Sequence, residues 1–211
     1  MTSNDKLEAI IAQRLRGPQS GVFRLDANGG NPFLLLPVQV PVEPLCSNDG
    51  QWVDYHRQEP PAAQFRMSIN GGNSEQLKLP KDAVDLVIAS PDGQSLSLDT
   101  QDAQNLAAGL KISVSSIHGG PALHTFDRML GAGLHQEIWA PDGHAVDYPV
   151  QRGGVENVWR QPLSGGSPKQ LTHFTSGQTY NIAWSGDGKT LAAARGTRSA
   201  DIILLKATKT P

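Results

Sequence analysis

Two glycine-containing dipeptides alternate along this chain at a nearly constant spacing, and this repeat constrains the fold more than any other feature. A Gly-Gly pair recurs at positions 29, 71, 119 and 165, with spacings of 42, 48 and 46 residues between these four. Asp-Gly pairs begin at positions 49, 92, 142 and 187, with spacings of 43, 50 and 45 residues. A period of this length with two tight turns per unit is typical of a four-stranded β-propeller blade.

Apolar side chains recur in phase with these turns. The positions four and six residues after each Asp hold Val53, Leu96, Val146 and Leu191, and Tyr55, Leu98, Tyr148 and Ala193. Apolar residues at alternate positions indicate a strand with one buried face. Asp-Gly and Gly-Gly suit tight hairpins because glycine accepts positive φ at little steric cost. Each unit is therefore predicted to run as strand A, Asp-Gly turn, strand B, loop, strand C, Gly-Gly turn, strand D.

The repeats predict an all-β chain, a β-propeller of about four four-stranded blades that forms a partial or small ring, preceded by a short N-terminal helix. The predicted divisions are a helix and linker over 1–19, repeats over 20–206 (about 20–60, 61–107, 108–154 and 155–206) and a tail over 207–211. The chain is expected to enter its first blade at strand C near Val22. A last strand over 201–205 would pair with an N-terminal strand if the ring closes.

The helix prediction rests on apolar residues at helical spacing within residues 4–16, namely Leu7, Ile10, Ile11 and Leu15. Four units cover about half of a six- to eight-bladed ring. Three arrangements are open: a fragment, a compact four-bladed ring, or half of a two-chain ring. Unpaired blade edges would favour self-association.

The turn sequences resemble those of TolB-like propeller repeats, which are related to WD40-like repeats. The stretch 184–189 reads Trp-Ser-Gly-Asp-Gly-Lys, and Pro91 and Pro141 each precede an Asp-Gly pair. Cys46 and Ala89 replace the tryptophan of the repeat in earlier units. The last unit, 157–205, resembles the propeller end of bacterial proteins that carry an N-terminal Ser/Thr kinase or winged-helix domain. The resemblance implies a binding or sensor role.

Composition excludes several classes of function. The formal net charge of -2 provides no basic surface for nucleic acid. No segment is long and apolar enough to span a bilayer, and residues 1–17 lack the apolar core of a signal peptide. The chain as written is therefore expected to be soluble, cytoplasmic by default and periplasmic if it belongs to a longer protein.

Motifs for catalysis and metal binding are not found in the sequence. There is no kinase Asp-Phe-Gly, no Gly-x-Ser-x-Gly elbow and no close pair of histidine ligands. Cys46, the single cysteine, lies at the tryptophan position of the repeat and is expected to be an inert core residue. Trp139, Trp159 and Trp184 are expected to pack between blades. We therefore predict no enzyme activity and no cofactor.

The longer B-to-C and D-to-A connections are predicted to lie together at one end of the blades, because the strands are antiparallel. We call this end the loop face. Its candidate contacts are Asp127, Arg128, His135, Arg152, His173, Gln178, Arg195 and Arg198. The predicted function is a non-enzymatic module that binds a protein, a peptide or a small polar ligand there. The alternatives are the detached sensory part of a kinase or transcription regulator, and the accessory propeller of a prolyl-peptidase-like hydrolase.

Overall fold

The computed structural model describes residues 9–14, 19–40, 42, 44–47, 50–57, 63–84, 88–129 and 137–197. Within these ranges the chain is nearly all β. The strands are β1 Ala9–Arg14, β2 Gly21–Asp26, β3 Phe33–Pro37, β4 Leu45–Cys46, β5 Trp52–Arg57, β6 Ala63–Ser68, β7 Glu75–Gln76, β8 Ile88–Ala89, β9 Ser95–Thr100, β10 Lys111–Ser116, β11 His124–Asp127, β12 Ile138–Trp139, β13 Ala145–Arg152, β14 Val155–Pro162, β15 Lys169–Gln170, β16 Gln178–Trp184 and β17 Leu191–Gly196. A single 3-10 turn covers Leu106–Ala108.

The described strands form five antiparallel sheets in chain order. Sheet 1 contains β1 to β3, sheets 2, 3 and 4 contain four strands each (β4 to β7, β8 to β11 and β12 to β15), and sheet 5 contains β16 and β17. The predicted four-stranded sheets and the order of their turns are confirmed. The first strands of sheets 2 to 5, namely β4, β8, β12 and β16, are called the inner strands below.

Sheets and sequence repeats are offset by half a unit. The stretch 20–60 contains β2 and β3 of sheet 1 and β4 and β5 of sheet 2, and each later repeat likewise contains four strands shared between two sheets. Each repeat therefore links two neighbouring sheets covalently. The predicted strand over 201–205 and the tail lie outside the described residues.

The predicted N-terminal helix is wrong over Ala9–Arg14. These residues form β1, which pairs with β2 along its whole length and so precedes the predicted entry at Val22. Ile11 packs against the buried cluster around Val22 and Tyr55. The β-branched Ile10-Ile11 pair favours a strand, and pairing with a neighbouring strand outweighs the weak local helical spacing.

Hydroxyl and carboxyl groups close the Asp-Gly turns. Ser185 donates to the Asp187 carboxylate at 2.6 Å, and that carboxylate accepts the Lys189 amide at 3.1 Å. Ser90 and Asp92 repeat this arrangement in sheet 3. The hydrogen bonds from the serines, the largest cause, lower the pKa of both carboxyl groups. The signature residues of the repeat are thus used by the turn itself.

Apolar residues fill the space between neighbouring sheets. Ile112 and Val114 of β10 pack with Val146, Tyr148 and Val150 of β13, and all five are almost fully buried. This contact joins sheet 3 to sheet 4. Alternate residues of a strand face the next sheet, as the period-two pattern predicts.

Two sheets contain an ion pair with a buried carboxylate at the same position of the repeat. In sheet 2, Arg66 donates to Asp54 through Nε at 2.7 Å and Nη2 at 2.9 Å. In sheet 4, Arg160 binds Asp147 in the same bidentate way at 2.7 and 2.8 Å. Each Asp lies five residues after the Asp of its Asp-Gly turn. Breaking the pair of sheet 2, where both side chains are buried, costs about 3–5 kcal/mol because one charge is left without its partner, whereas in sheet 4 the Arg160 side chain is 27% exposed.

Candidate ligand-binding groove

The inner strands of three consecutive sheets converge on a groove of about 420 Å³. Equivalent positions of the repeat line it. Sheet 3 contributes Ile88, Ala89 and Pro91, sheet 4 contributes Ile138, Trp139 and Pro141, and sheet 5 contributes residues 182–186. Because these positions lie on the inner strands and their Asp-Gly turns, the groove opens toward the end of the sheets opposite the loop face.

Each tryptophan of the groove forms a hydrogen bond with the preceding sheet. Trp139 donates from Nε1 to the carbonyl oxygen of Ile88 at 2.9 Å. Trp184 donates from Nε1 to Oδ2 of Asp147 at 3.0 Å. The prediction that these two residues pack between blades is confirmed, and the same side chains also line the groove. Trp184 is only partly buried, so part of its ring is available to a ligand.

The ion pair of sheet 4 lies directly behind Trp184. The guanidinium carbon of Arg160 is 5.5 Å from the centroid of the Trp184 ring, within cation–π distance. Asp147 is completely buried and accepts hydrogen bonds from both Arg160 and Trp184. The hydrogen bond to Asp147 raises the pKa of Arg160 above its ordinary value, so the guanidinium stays charged throughout the physiological range.

Aliphatic and aromatic side chains predominate among the lining residues, none of which is ionisable, while polar atoms contribute nearly half of the accessible surface of the groove. Apolar walls together with polar backbone and hydroxyl atoms suit an uncharged segment of a ligand. Among the residues that the structure describes, no group of three or more His, Cys, Asp and Glu side chains could hold a metal ion.

The candidate contacts of the loop face have different local environments. Asp127 is exposed and pairs with Lys111 at 3.2 Å. Arg152 is exposed and stacks over Trp159, with 4.3 Å between its guanidinium carbon and the ring centroid. His173 is exposed and Gln178 is half-buried at the start of β16. His135 and Arg198 lie outside the described residues.

Arg128 is buried, so its predicted role as an exposed contact is wrong. Only 4% of its side chain is accessible, and it forms ion pairs with Asp99 and with Glu137, the latter at 3.2 Å. Its guanidinium carbon is 5.5 Å from the centroid of the Tyr148 ring. Burial is the main cause that raises the pKa of Tyr148. Arg128 therefore ties the end of β11 to β9 and to the connection that leads into β12.

Arg195 stabilises the connection between sheets 4 and 5. Its Nη2 donates to the carbonyl oxygens of Ser176 at 2.7 Å and Glu156 at 3.1 Å, and its guanidinium carbon lies 3.6 Å from the centroid of the Phe174 ring. Asn157 binds both backbone groups of Phe174 from the other side. Through these contacts Arg195 fixes the conformation of the loop that contains His173.

Cys46 is exposed rather than part of the core, so that expectation is wrong. A two-residue inner strand holds it at the edge of sheet 2. The protein around the thiol, and to a smaller extent the Asp54 carboxylate, raise the pKa of Cys46. A raised pKa leaves little thiolate at neutral pH, which makes the sulfur a weak nucleophile.

Two features escaped the sequence analysis. Gly153-Gly154 forms a two-residue hairpin between β13 and β14, so this connection on the loop face is short. The Asp54–Arg66 and Asp147–Arg160 pairs were also missed, although the Asp five residues after the turn recurs in the sequence and could have indicated them.

Comparison with solved structures supports the propeller fold. TolB from Acinetobacter baumannii superposes with a TM-score of 0.70 over 92% of this chain and 48% of that chain, at 21% sequence identity. A TolB from Agrobacterium tumefaciens gives a TM-score of 0.59 over 77% of this chain and 57% of that one, at 18% identity. A chain of a nidogen/laminin complex gives 0.60 over 89% and 69%, at 12% identity. The chain thus spans about half the length of the TolB proteins, and the likeness shows the fold alone.

Comparison with curated sequences gives a local match. Tricorn protease homolog 1 of Streptomyces coelicolor is 40% identical over 53 residues, which is 25% of this chain and 5% of that protein. No protein-family model matches the chain. In the part of the chain that the structure describes, no helix has the length and apolar character needed to cross a membrane.

Proposed function

We propose that this chain is a non-enzymatic binding module whose groove between the inner strands receives an apolar segment of a protein or peptide. The observation that carries the proposal is the convergence of equivalent apolar and aromatic positions from three sheets on one groove. Trp139 and Trp184 are held there by hydrogen bonds to neighbouring sheets. A pre-formed aromatic wall loses little conformational entropy when a ligand binds, which favours affinity.

The loop face is a second surface of the same module in this proposal. His173 lies in the connection before β16 and Gln178 begins that strand, while Asp127 ends a strand of sheet 3 and Arg152 ends a strand of sheet 4. Polar side chains at the ends of rigid strands are suited to contacts around the edge of a protein partner. In this arrangement the groove contributes most of the affinity.

Selection from a displayed library of random short peptides tests the proposal, with the purified chain as target. Ala183→Glu places a carboxylate in the groove at an exposed position, and Ala194→Glu places one on the adjacent strand outside the lining. We expect selected peptides to be apolar and their affinity to fall by about tenfold or more in Ala183→Glu, because a carboxylate facing an apolar ligand loses hydration without a partner. Equal affinity for both variants, or no selection above an unrelated control protein, would contradict the proposal.

A second candidate is an accessory propeller of a peptidase. It is favoured by the local identity with the tricorn protease homolog and by the fold likeness to an acylaminoacyl peptidase, with a TM-score of 0.50 over 81% of this chain and 31% of that chain. A hydrolase domain encoded in the same gene or operon, together with faster peptide cleavage by that domain when this chain is added, would support this candidate over an independent binding module.

A further inference from the structure

We infer that Asp147 and Arg160 are positioning residues for the groove, which hold the Trp184 ring in the orientation that a ligand meets. This inference rests on the proposed function. Asp147 is buried, lies on β13 and accepts the Trp184 indole N–H, while Arg160 lies on β14 and faces the same ring. Neither residue lines the groove. They act on a ligand only through Trp184.

Two contacts fix the ring, and the two partners are bound to each other. The indole edge is held by the 3.0 Å hydrogen bond from Nε1 to Asp147. The ring lies 5.5 Å from the Arg160 guanidinium carbon, and Arg160 is itself held to Asp147 by two hydrogen bonds of 2.7 and 2.8 Å. A carboxylate that accepts from two partners at once restricts both of them, so the ring and the guanidinium can turn only together.

The position of Trp184 in the fold makes such support necessary. It belongs to sheet 5, which has two strands among the described residues, and its inner strand β16 contributes residues 182–184 to the groove. Ala183 on one side and Ser185 on the other are exposed. Packing around the ring is therefore incomplete, and the directional contacts with sheet 4 supply the orientation that packing alone would not.

Sheet 2 contains an internal control. Asp54 and Arg66 form the same bidentate ion pair between the same two strands of their sheet, with nearly the same distances. In the next sheet, however, Ala89 holds the position that Trp184 holds in sheet 5, so no indole N–H is available at that position of the repeat. Removing the carboxylate charge in sheet 2 and in sheet 4 therefore disrupts equivalent ion pairs, and only the change in sheet 4 releases a tryptophan of the groove.

The experiment compares Asp147→Asn with Asp54→Asn in the full chain without ligand, by the exchange rates of the indole N–H groups in ¹H–¹⁵N NMR spectra. We expect the Trp184 N–H to exchange about tenfold faster or more in Asp147→Asn after correction for global stability, because the acceptor loses its charge and the one remaining carbonyl oxygen cannot serve both Arg160 and Trp184 as the carboxylate does. Its exchange should be unchanged in Asp54→Asn. Equal effects of both variants on Trp184, or none in Asp147→Asn, would overturn the inference.

Two further variants keep the test decisive if Asp147→Asn does not fold. Trp184→Phe keeps an aromatic ring and the ion pair but has no N–H to donate to Asp147. Arg160→Lys keeps the positive charge but cannot form the bidentate contact with Asp147. We expect peptides selected on the wild type to bind both variants more weakly, and Asp54→Asn to bind them normally. Full affinity in Trp184→Phe and Arg160→Lys would overturn a positioning role in ligand binding. If no peptide is selected at all, the proposed function fails, whereas the exchange measurement still decides whether Asp147 orients Trp184.

Discussion

Gln64 provides a quantitative test of the packing between sheets, because its side chain is buried in an apolar position. It is 1% exposed, and neither Nε2 nor Oε1 has a hydrogen-bond partner among the described residues. It lies seven residues before the first glycine of its Gly-Gly turn, and the equivalent residues in sheets 3 and 4 are Ile112 and Val158. Both of these are fully buried and apolar.

The expected effect of Gln64→Met follows from this environment. Methionine has a similar length and no polar atoms that need partners, and its flexibility lets it fill the same space. A buried polar atom without a partner costs about 1–3 kcal/mol, so removing two of them should stabilise the chain by about 2 kcal/mol after losses from imperfect packing. For a chain of this size, that gain corresponds to a rise in Tm of about 4–8 °C.

Urea unfolding followed by tryptophan fluorescence measures the change, and Gln161→Met is the matched control. Gln161 is also buried, but its Nε2 donates to the carbonyl oxygens of Pro162 at 3.1 Å and Gly166 at 3.2 Å. Removing that donor should lower the free energy of unfolding. A destabilised Gln64→Met protein, or equal changes in both variants, would refute the reasoning.

Three further predictions concern the turns. Ser90→Ala should destabilise the chain by about 1 kcal/mol in thermal unfolding, since it removes the donor to Asp92 and the acceptor of the Ser95 amide. Alanine holds the equivalent position in sheet 4, so Ala140→Ser should stabilise the wild-type chain by a similar amount. A loss of stability in Ala140→Ser would contradict this. Because the pKa of Asp92 is lowered in the folded state, its contribution to stability is present above the unfolded-state pKa and is lost as the pH falls through the lower folded-state pKa. Unfolding midpoints measured from pH 5 to pH 2 should therefore fall less steeply in Ser90→Ala than in the wild type. Identical slopes would argue against this. Gly188→Ala should destabilise the chain more than Gly165→Ala does. Both glycines have positive φ, but only at Gly188 would the new Cβ lie 2.7 Å from Cβ of Pro141. Chemical denaturation of both variants measures the difference, and equal losses of stability would contradict the prediction.

Much of the fold could be predicted because turns in this chain have a local chemical cause. Glycine at positive φ marks each Asp-Gly turn, the carboxylates of Asp92, Asp142 and Asp187 accept a backbone amide of their own turn, and the alternating apolar residues that follow mark the next strand. The N-terminal strand could not be found in this way. Ile10 and Ile11 are compatible with either period, and only pairing with β2 decides between helix and strand.

The candidate site was harder to predict because its properties arise between sheets. The tryptophans of the repeat were assigned to packing, and a single sequence does not show that the same rings border an open groove. Arg128 looked like an exposed loop residue because its two partners, Asp99 and Glu137, come from other parts of the chain. Burial of a charge depends on long-range neighbours, which spacing along the sequence does not reveal.

The most direct test of the account is to map the four tryptophan indole signals by ¹H–¹⁵N NMR while a selected peptide is added to the full chain. Ligand binding in the groove predicts that the signals of Trp139 and Trp184 shift together at a common affinity, while those of Trp52 and Trp159, which do not line the groove, stay in place. Shifts confined to Trp52 and Trp159, with Trp139 and Trp184 unchanged at saturation, would contradict the assignment of the groove as the binding site.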